Sequence, residues 1–136
     1  HIKSLVMAKK QKITYCLWFD QDAEEVVNFY TAIFTESKEK DLLYNPVDTP
    51  SGKTGTVLTA NFELEGQQFM VLNGGPEFKL NPSISFMVHC KTADEGESLW
   101  NKLSDGGKVR MPLDKYPFSD KYGLIEDNYA ALSHLS

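Results

Sequence analysis

The run Asn73-Gly74-Gly75-Pro76 begins the most informative segment of this sequence, which continues through Asn81-Pro82 and Ile84-Ser85-Phe86. Tyr116-Pro117-Phe118-Ser119 and Lys121-Tyr122-Gly123 show the same alternation of turn residues with short apolar segments. Asparagine, glycine and proline favour turns, whereas β-branched and aromatic residues favour strands. The pattern predicts a β-rich domain that encloses a cavity, and it supplies no obvious nucleophile, base or metal cage.

Two segments outside this stretch share a strand-then-helix pattern. Residues 13–19 and 84–90 are rich in β-branched and aromatic residues and predict strands. Apolar residues at helical spacing follow each of them, beginning at Ala23 in the first half and including Leu99, Trp100 and Leu103 in the second. Asp20 or Asp22 can cap the first helix, and Thr92 or Asp94 can cap the second.

Three strand-like segments follow each predicted helix. They cover about residues 36–45, 53–65 and 67–73 in the first half, and 108–113, 122–126 and 131–135 in the second. The expected fold class is α+β, with two βαβββ modules that form a curved, mainly antiparallel eight-stranded sheet around a cleft, helices outside. A concave apolar surface of this kind is where small molecules bind.

The domain boundaries are expected as follows. We interpret residues 1–6 as an added segment ahead of a native start at Met7, and residues 7–136 as a single domain. Module one covers about residues 12–73 and module two about residues 83–136.

Composition narrows the class of partner. The formal charge of -5 repels phosphate backbones and anionic lipid, so we expect no nucleic-acid partner. No apolar run in the sequence reaches the length that crosses a bilayer, so no membrane partner is expected either. Cys16 and Cys90 fall inside apolar segments and predict reduced, buried thiols in a cytoplasmic protein.

The chain closely resembles the PhnB-like branch of the vicinal oxygen chelate superfamily, which includes glyoxalase I, fosfomycin-resistance proteins, bleomycin-binding proteins and extradiol dioxygenases. The resemblance extends from Ile13 to Leu135 and is carried by these segments: Leu17-Trp18-Phe19, Phe69 to Pro76, Asn81 to Phe86, Leu99-Trp100, Met111-Pro112-Leu113 and Tyr116 to Gly123. It implies paired βαβββ modules and usually a homodimer.

Two features depart from what the resemblance suggests. Members of this branch have also been labelled 3-demethylubiquinone methyltransferases, but the sequence has no glycine-rich strand-to-helix turn of the kind that holds S-adenosylmethionine. The superfamily usually places a glycine before its final strand, where this chain has Asn128-Tyr129-Ala130-Ala131. Alanine is strained at positive φ, so the shape of this turn is expected to differ.

Metal-dependent relatives carry ligands at positions that the resemblance places at Tyr15, Asn73, Ser85 or Phe86, and His134. Only His134 is a strong ligand for zinc or manganese, which need three or more converging donors. We therefore expect no tightly held metal and no other cofactor.

Other catalytic arrangements are also disfavoured. His89 and Cys90 are neighbours on a strand and face opposite ways, so His89 is interpreted as structural. The serines lack a nearby histidine-and-acid pattern. Glu63 and Glu65 share a strand face and could divide acid and base roles, although a solvated hairpin edge is the preferred interpretation.

Aromatic and polar residues along the predicted cleft are the candidate ligand-binding residues. Tyr15, Leu17 and Phe19 share one strand face, which we assign to the cavity, and Trp18 is assigned to packing beneath the helix. Core packing stays open as the alternative for each aromatic residue, and turn formation as the alternative for Asn73. The candidates are Tyr15, Leu17, Phe19, Asn73, Phe86, Tyr116, Phe118, Tyr122 and His134.

The predicted function is that of a cytoplasmic homodimer that binds a small apolar or aromatic molecule in its cleft without a tightly held metal. One alternative is a lyase, isomerase or dioxygenase-type enzyme that recruits a divalent ion through His134, Asn73 and substrate oxygens. Another is an antibiotic-sequestering protein like those that bind bleomycin.

Overall fold

The computed structural model describes residues 11–136, so the expected start at Met7 lies outside the described residues. Each half of this part of the chain has the order strand, helix, three strands, as the sequence predicts. The elements are β1 (Tyr15–Phe19), α1 (Ala23–Ile33), β2 (Ser37–Tyr44), β3 (Val57–Leu64), β4 (Gln67–Asn73), β5 (Ser85–Val88), α2 (Ala93–Ser104), β6 (Lys108–Tyr116), β7 (Ser119–Glu126) and β8 (Leu132–Leu135).

The strands form two four-stranded sheets, with the orders β1-β4-β3-β2 and β5-β8-β7-β6. The α+β class and the two βαβββ modules are thus confirmed, with the strands of residues 11–136 divided into two sheets of four. β1 pairs in parallel with β4, and β5 pairs in parallel with β8, so each sheet forms within its own module. The other neighbouring strands are antiparallel.

The chain divides into two compact units. Among the described residues, the first unit holds residues 11–31 together with Thr35–Glu77, and the second holds Ala32–Phe34 together with Phe78–Ser136.

Helix α1 covers the face of the first sheet that carries Tyr15, Leu17 and Phe19. Tyr15 pairs with Phe69, and Phe69 pairs with Phe62, so the three lie on one face. The Phe62 ring stacks on the ring of Tyr30, which lies on α1, with 6.4 Å between the centroids. Phe62 is completely buried. The assignment of this face to the cavity, and of Trp18 to the helix side, is therefore wrong.

Asn73 also lies on this covered face, where it anchors the first turn of α1. Its Oδ1 accepts from the backbone N–H of Ala23 at 2.8 Å, and its Nδ2 donates to the carbonyl of Val57 at 3.0 Å. The side chain is 5% exposed. A residue fifty positions along the chain thus satisfies an N–H that the helix leaves unpaired, where the sequence suggested Asp20 or Asp22.

Helix α2 packs on the second sheet at Gly123. A Cβ placed on Gly123 would lie 2.3 Å from the Trp100 ring, so only glycine permits this contact. Leu99 and Leu103 are buried on the same helix, and Ile125 and Leu135 are buried in the sheet beneath it. Thr92 caps α2 as predicted, since its side chain accepts from the N–H of Glu95 at 3.1 Å.

The turn before the last strand keeps a positive φ without glycine. Ala130 has φ +68°, and the buried carboxylate of Asp127 accepts from the N–H groups of Tyr129 and Ala131 at 2.8 and 3.2 Å. Those bonds hold the turn in a conformation that alanine rarely adopts.

Candidate functional site

The face of the second sheet that points away from α2 carries the candidate site. Gly123, Ile125, Ser133 and Leu135 face α2, so their strand neighbours face the opposite way. We call this the α2-distal face, and its members include Ser85, Met87, Met111, Tyr122, Leu124 and His134, together with Asp114, Glu126 and Leu132.

An aromatic group lies at one end of this face. Pro117 and Phe118 form the two-residue turn between Tyr116 and Ser119, which pair across β6 and β7. The centroid of the Phe118 ring lies 5.7 Å from that of Tyr116 and 5.0 Å from that of Tyr122. The centroids of the two tyrosine rings are 5.8 Å apart. Such spacings are those of favourable ring contacts. We call Tyr116, Phe118 and Tyr122 the aromatic group.

The aromatic group leaves apolar surface accessible. Phe118 is 67% exposed and Met87, further along the same face, is 52% exposed. The Tyr116 hydroxyl donates to the carbonyl of Pro112 at 2.7 Å, which fixes the ring on the strand.

A hydrogen-bonded chain of three side chains continues from the aromatic group. The Tyr122 hydroxyl lies 2.5 Å from Nδ1 of His134, and the Ser85 Oγ lies 2.9 Å from Nε2 of the same ring. We call Ser85, His134 and Tyr122 the polar chain. All three residues are partly buried, and hydrogen bonds at both ring nitrogens hold the His134 ring in place.

The structure brings together four of the nine predicted site residues: Tyr116, Phe118, Tyr122 and His134. The prediction that Phe86 belongs to the site is wrong, because Phe86 pairs with Ser133 on the face that α2 covers. Leu17, Phe19 and Asn73 are buried beneath α1, and Tyr15 lies at the end of that same face. The positions of these five residues give no support to ligand binding.

Sequence reasoning missed Ser85 as a partner of His134 and missed Met87 altogether. The two strands that carry Ser85 and His134 are parallel neighbours, and only the register shows that these side chains meet. The alternation along β5, with Ser85 and Met87 on one side of Phe86, was a signal available in the sequence.

The residues present do not fit a bound divalent metal. In residues 11–136 no three His, Cys, Asp or Glu side chains lie close enough together to hold one. Both nitrogens of His134 already bond to hydroxyl groups, and the amide of Asn73 bonds to backbone. A tightly bound metal needs several converging donors, which these residues do not supply.

The remaining titratable candidates have structural surroundings. The prediction of buried thiols is wrong for Cys16, which is exposed, and Cys90 is only partly buried. Partial desolvation raises the pKa of both thiols, and the charge of Glu95 is the second cause at Cys90. The hydrogen bond from Lys40 is the main cause that lowers the pKa of Glu63, whose carboxylate also accepts from Gln68 at 2.9 Å. Nδ1 of His89 lies 3.4 Å from the Ser136 hydroxyl.

A family model described as 3-demethylubiquinone-9 3-methyltransferase matches residues 11–133. The chain belongs to this family. It is a PhnB-like member of the vicinal oxygen chelate superfamily, as the resemblance implied.

Solved structures agree with this assignment. A PhnB protein from Bacillus cereus, itself described as a 3-demethylubiquinone-9 3-methyltransferase, is 38% identical; 93% of this chain and 98% of that chain are covered, with a TM-score of 0.84. Protein PA1353 from Pseudomonas aeruginosa is 18% identical with a TM-score of 0.77, over 93% and 97% of the two chains.

The fosfomycin-resistance protein FosX from Listeria monocytogenes shares the fold at 12% identity and a TM-score of 0.64, over 93% and 92% of the two chains. This PhnB-like chain has no match among functionally curated proteins. None of its helices in residues 11–136 is long and apolar enough to span a membrane.

Proposed function

We propose that this PhnB-like protein binds a small apolar or aromatic molecule on the α2-distal face of its second unit, without a tightly held metal. The observation that carries the proposal is the aromatic group, in which a largely exposed Phe118 contacts two tyrosine rings beside His134.

Apolar surface and polar groups are combined on this face as they are in small-molecule sites. Such sites are mainly apolar and aromatic, with a few well-placed polar groups that orient the ligand. Met87, Leu124 and the aromatic group supply the apolar part, and the polar chain supplies hydroxyl and imidazole groups. Aromatic rings at the turn can stack on a planar ligand at little cost in side-chain freedom.

The test is a thermal-shift screen of small aromatic and aliphatic metabolites, with and without added divalent metal. A ligand at one hundred times its dissociation constant stabilises the folded protein by about 2.7 kcal/mol, which raises the melting temperature of a chain this size by roughly 5–10 °C. We expect hits among aromatic compounds in the absence of metal.

Two variants locate the site. Phe118→Ala should abolish the shifts, whereas Phe78→Ala removes an equally large ring that is 57% exposed outside the strands and should leave them intact. Hits that survive Phe118→Ala, or that appear only with added metal, would contradict the proposal and favour the metal-dependent alternative. A screen without hits would contradict it as well.

A further inference from the structure

We infer that the ligand of the α2-distal face is an aromatic compound that carries a hydroxyl or carbonyl oxygen, and that the polar chain binds this oxygen. The inference rests on the proposed function, because it assigns a chemical class to the ligand of that same site.

The position of the proton on the His134 ring decides which members of the polar chain donate and which accept. A neutral imidazole has one nitrogen that donates and one that accepts. His134 touches a hydroxyl group at each nitrogen, so one hydroxyl donates to the ring while the other accepts from it. The two tautomers of His134 exchange these roles between Ser85 and Tyr122.

When Nε2 carries the proton, Ser85 accepts from the ring and keeps its own O–H free to donate to a ligand. When Nδ1 carries the proton, Ser85 donates to the ring, and the lone pairs of its Oγ are free to accept. Ser85 can therefore serve a carbonyl oxygen in one tautomer and a hydroxyl in the other, whereas an unsubstituted hydrocarbon gains nothing from either.

The polar chain lies beside the aromatic group. Tyr122 belongs to both, with its ring 5.0 Å from that of Phe118 and 5.8 Å from that of His134. A planar molecule seated against the aromatic group thus has its edge next to the polar chain. Leaving partly buried hydroxyls unmatched by the ligand would cost free energy, so the site favours an oxygen at that edge.

The test compares three probes of the same ring system: naphthalene, 2-naphthol and 2-acetylnaphthalene, with dissociation constants from ligand-observed NMR. We expect the two oxygenated probes to bind about three- to tenfold more tightly than naphthalene, as one hydrogen bond would give. In the triple variant Ser85→Ala, Tyr122→Phe, His134→Phe, which removes every hydrogen-bonding group of the polar chain, the three probes should bind alike.

Two substitutions at Ser85 provide a second test. Ser85→Ala should reduce the preference for oxygenated probes, and Ser85→Thr, which restores a hydroxyl, should return it. Equal affinities for all three probes in the unaltered protein would overturn the inference while leaving the proposed function standing. A preference that persists in the triple variant would overturn it too, and failure of every probe to bind would count against both.

Discussion

Asn73 shows how one buried amide can join three elements of a unit. Its oxygen serves the first turn of α1 and its nitrogen serves Val57 at the start of β3. Asn73→Ala leaves both buried backbone groups unpaired, so we expect a loss of about 2–4 kcal/mol in the free energy of unfolding, measured with urea.

Asn73→Asp is the matched control for that experiment. It keeps an oxygen for the Ala23 N–H at the positive end of α1 but cannot donate to Val57. We expect a smaller loss than for alanine. An alanine variant within about 0.5 kcal/mol of the unaltered protein would show that the two bonds do not stabilise the unit.

Ala130 lies in the turn where the resemblance suggests a glycine, and its backbone strain is measurable. With φ at +68°, its Cβ is close to the following carbonyl, a conflict that glycine lacks. We expect Ala130→Gly to stabilise the protein by about 0.5–1 kcal/mol after the larger backbone entropy of unfolded glycine is subtracted. Calorimetry is the measurement, and a lower melting temperature would contradict the strain argument.

At the level of secondary-structure elements, substitutions at two glycines test how α2 packs on its sheet. Gly123 touches the Trp100 ring, so the methyl group of Gly123→Ala would push α2 away, and we expect a loss of about 1–3 kcal/mol. Gly96 lies within α2, and the atoms nearest to an added Cβ belong to Cys90 at 3.7 Å. Gly96→Ala should therefore stabilise the helix by up to about 1 kcal/mol.

The same urea titration measures both variants, and the expected changes have opposite signs. If the two substitutions shift stability alike, close packing of Trp100 on Gly123 does not control the position of α2. A change in the slope of either titration would instead indicate that the unfolded or native state has changed in compactness.

The local sequence pattern was sufficient to predict most of the helices and strands. It was not sufficient to predict which face of a sheet a helix covers. Neighbouring residues alone are enough to predict α1 from its helical spacing of apolar residues. They are also enough to predict the turn at Glu65-Gly66, where φ is +49° and +84°. Whether the side of β1 that carries Leu17 or the side that carries Trp18 meets a helix depends on pairing with β4, far along the chain. The same limit hid the bond between Ser85 and His134.

At the scale of the whole molecule, the resemblance implies a homodimer, and the outer strand of the first sheet offers an edge for it. Among residues 11–136, β2 has a neighbouring strand on one side only, and it carries Leu43 and Tyr44, which are 56% and 51% exposed. An edge strand with exposed apolar residues is a template for pairing with another chain, and Lys38 and Lys40 protect only its first half.

We expect light scattering to give twice the 15.4 kDa of one chain. Leu43→Lys places a charge in the unprotected half of β2 and should increase the monomer fraction. Ile13→Lys makes the same kind of change at a residue that is 70% exposed outside the strands and should leave the mass unchanged. A dimer that tolerates Leu43→Lys as well as Ile13→Lys would place the interface elsewhere, and a monomeric unaltered protein would refute the dimer itself.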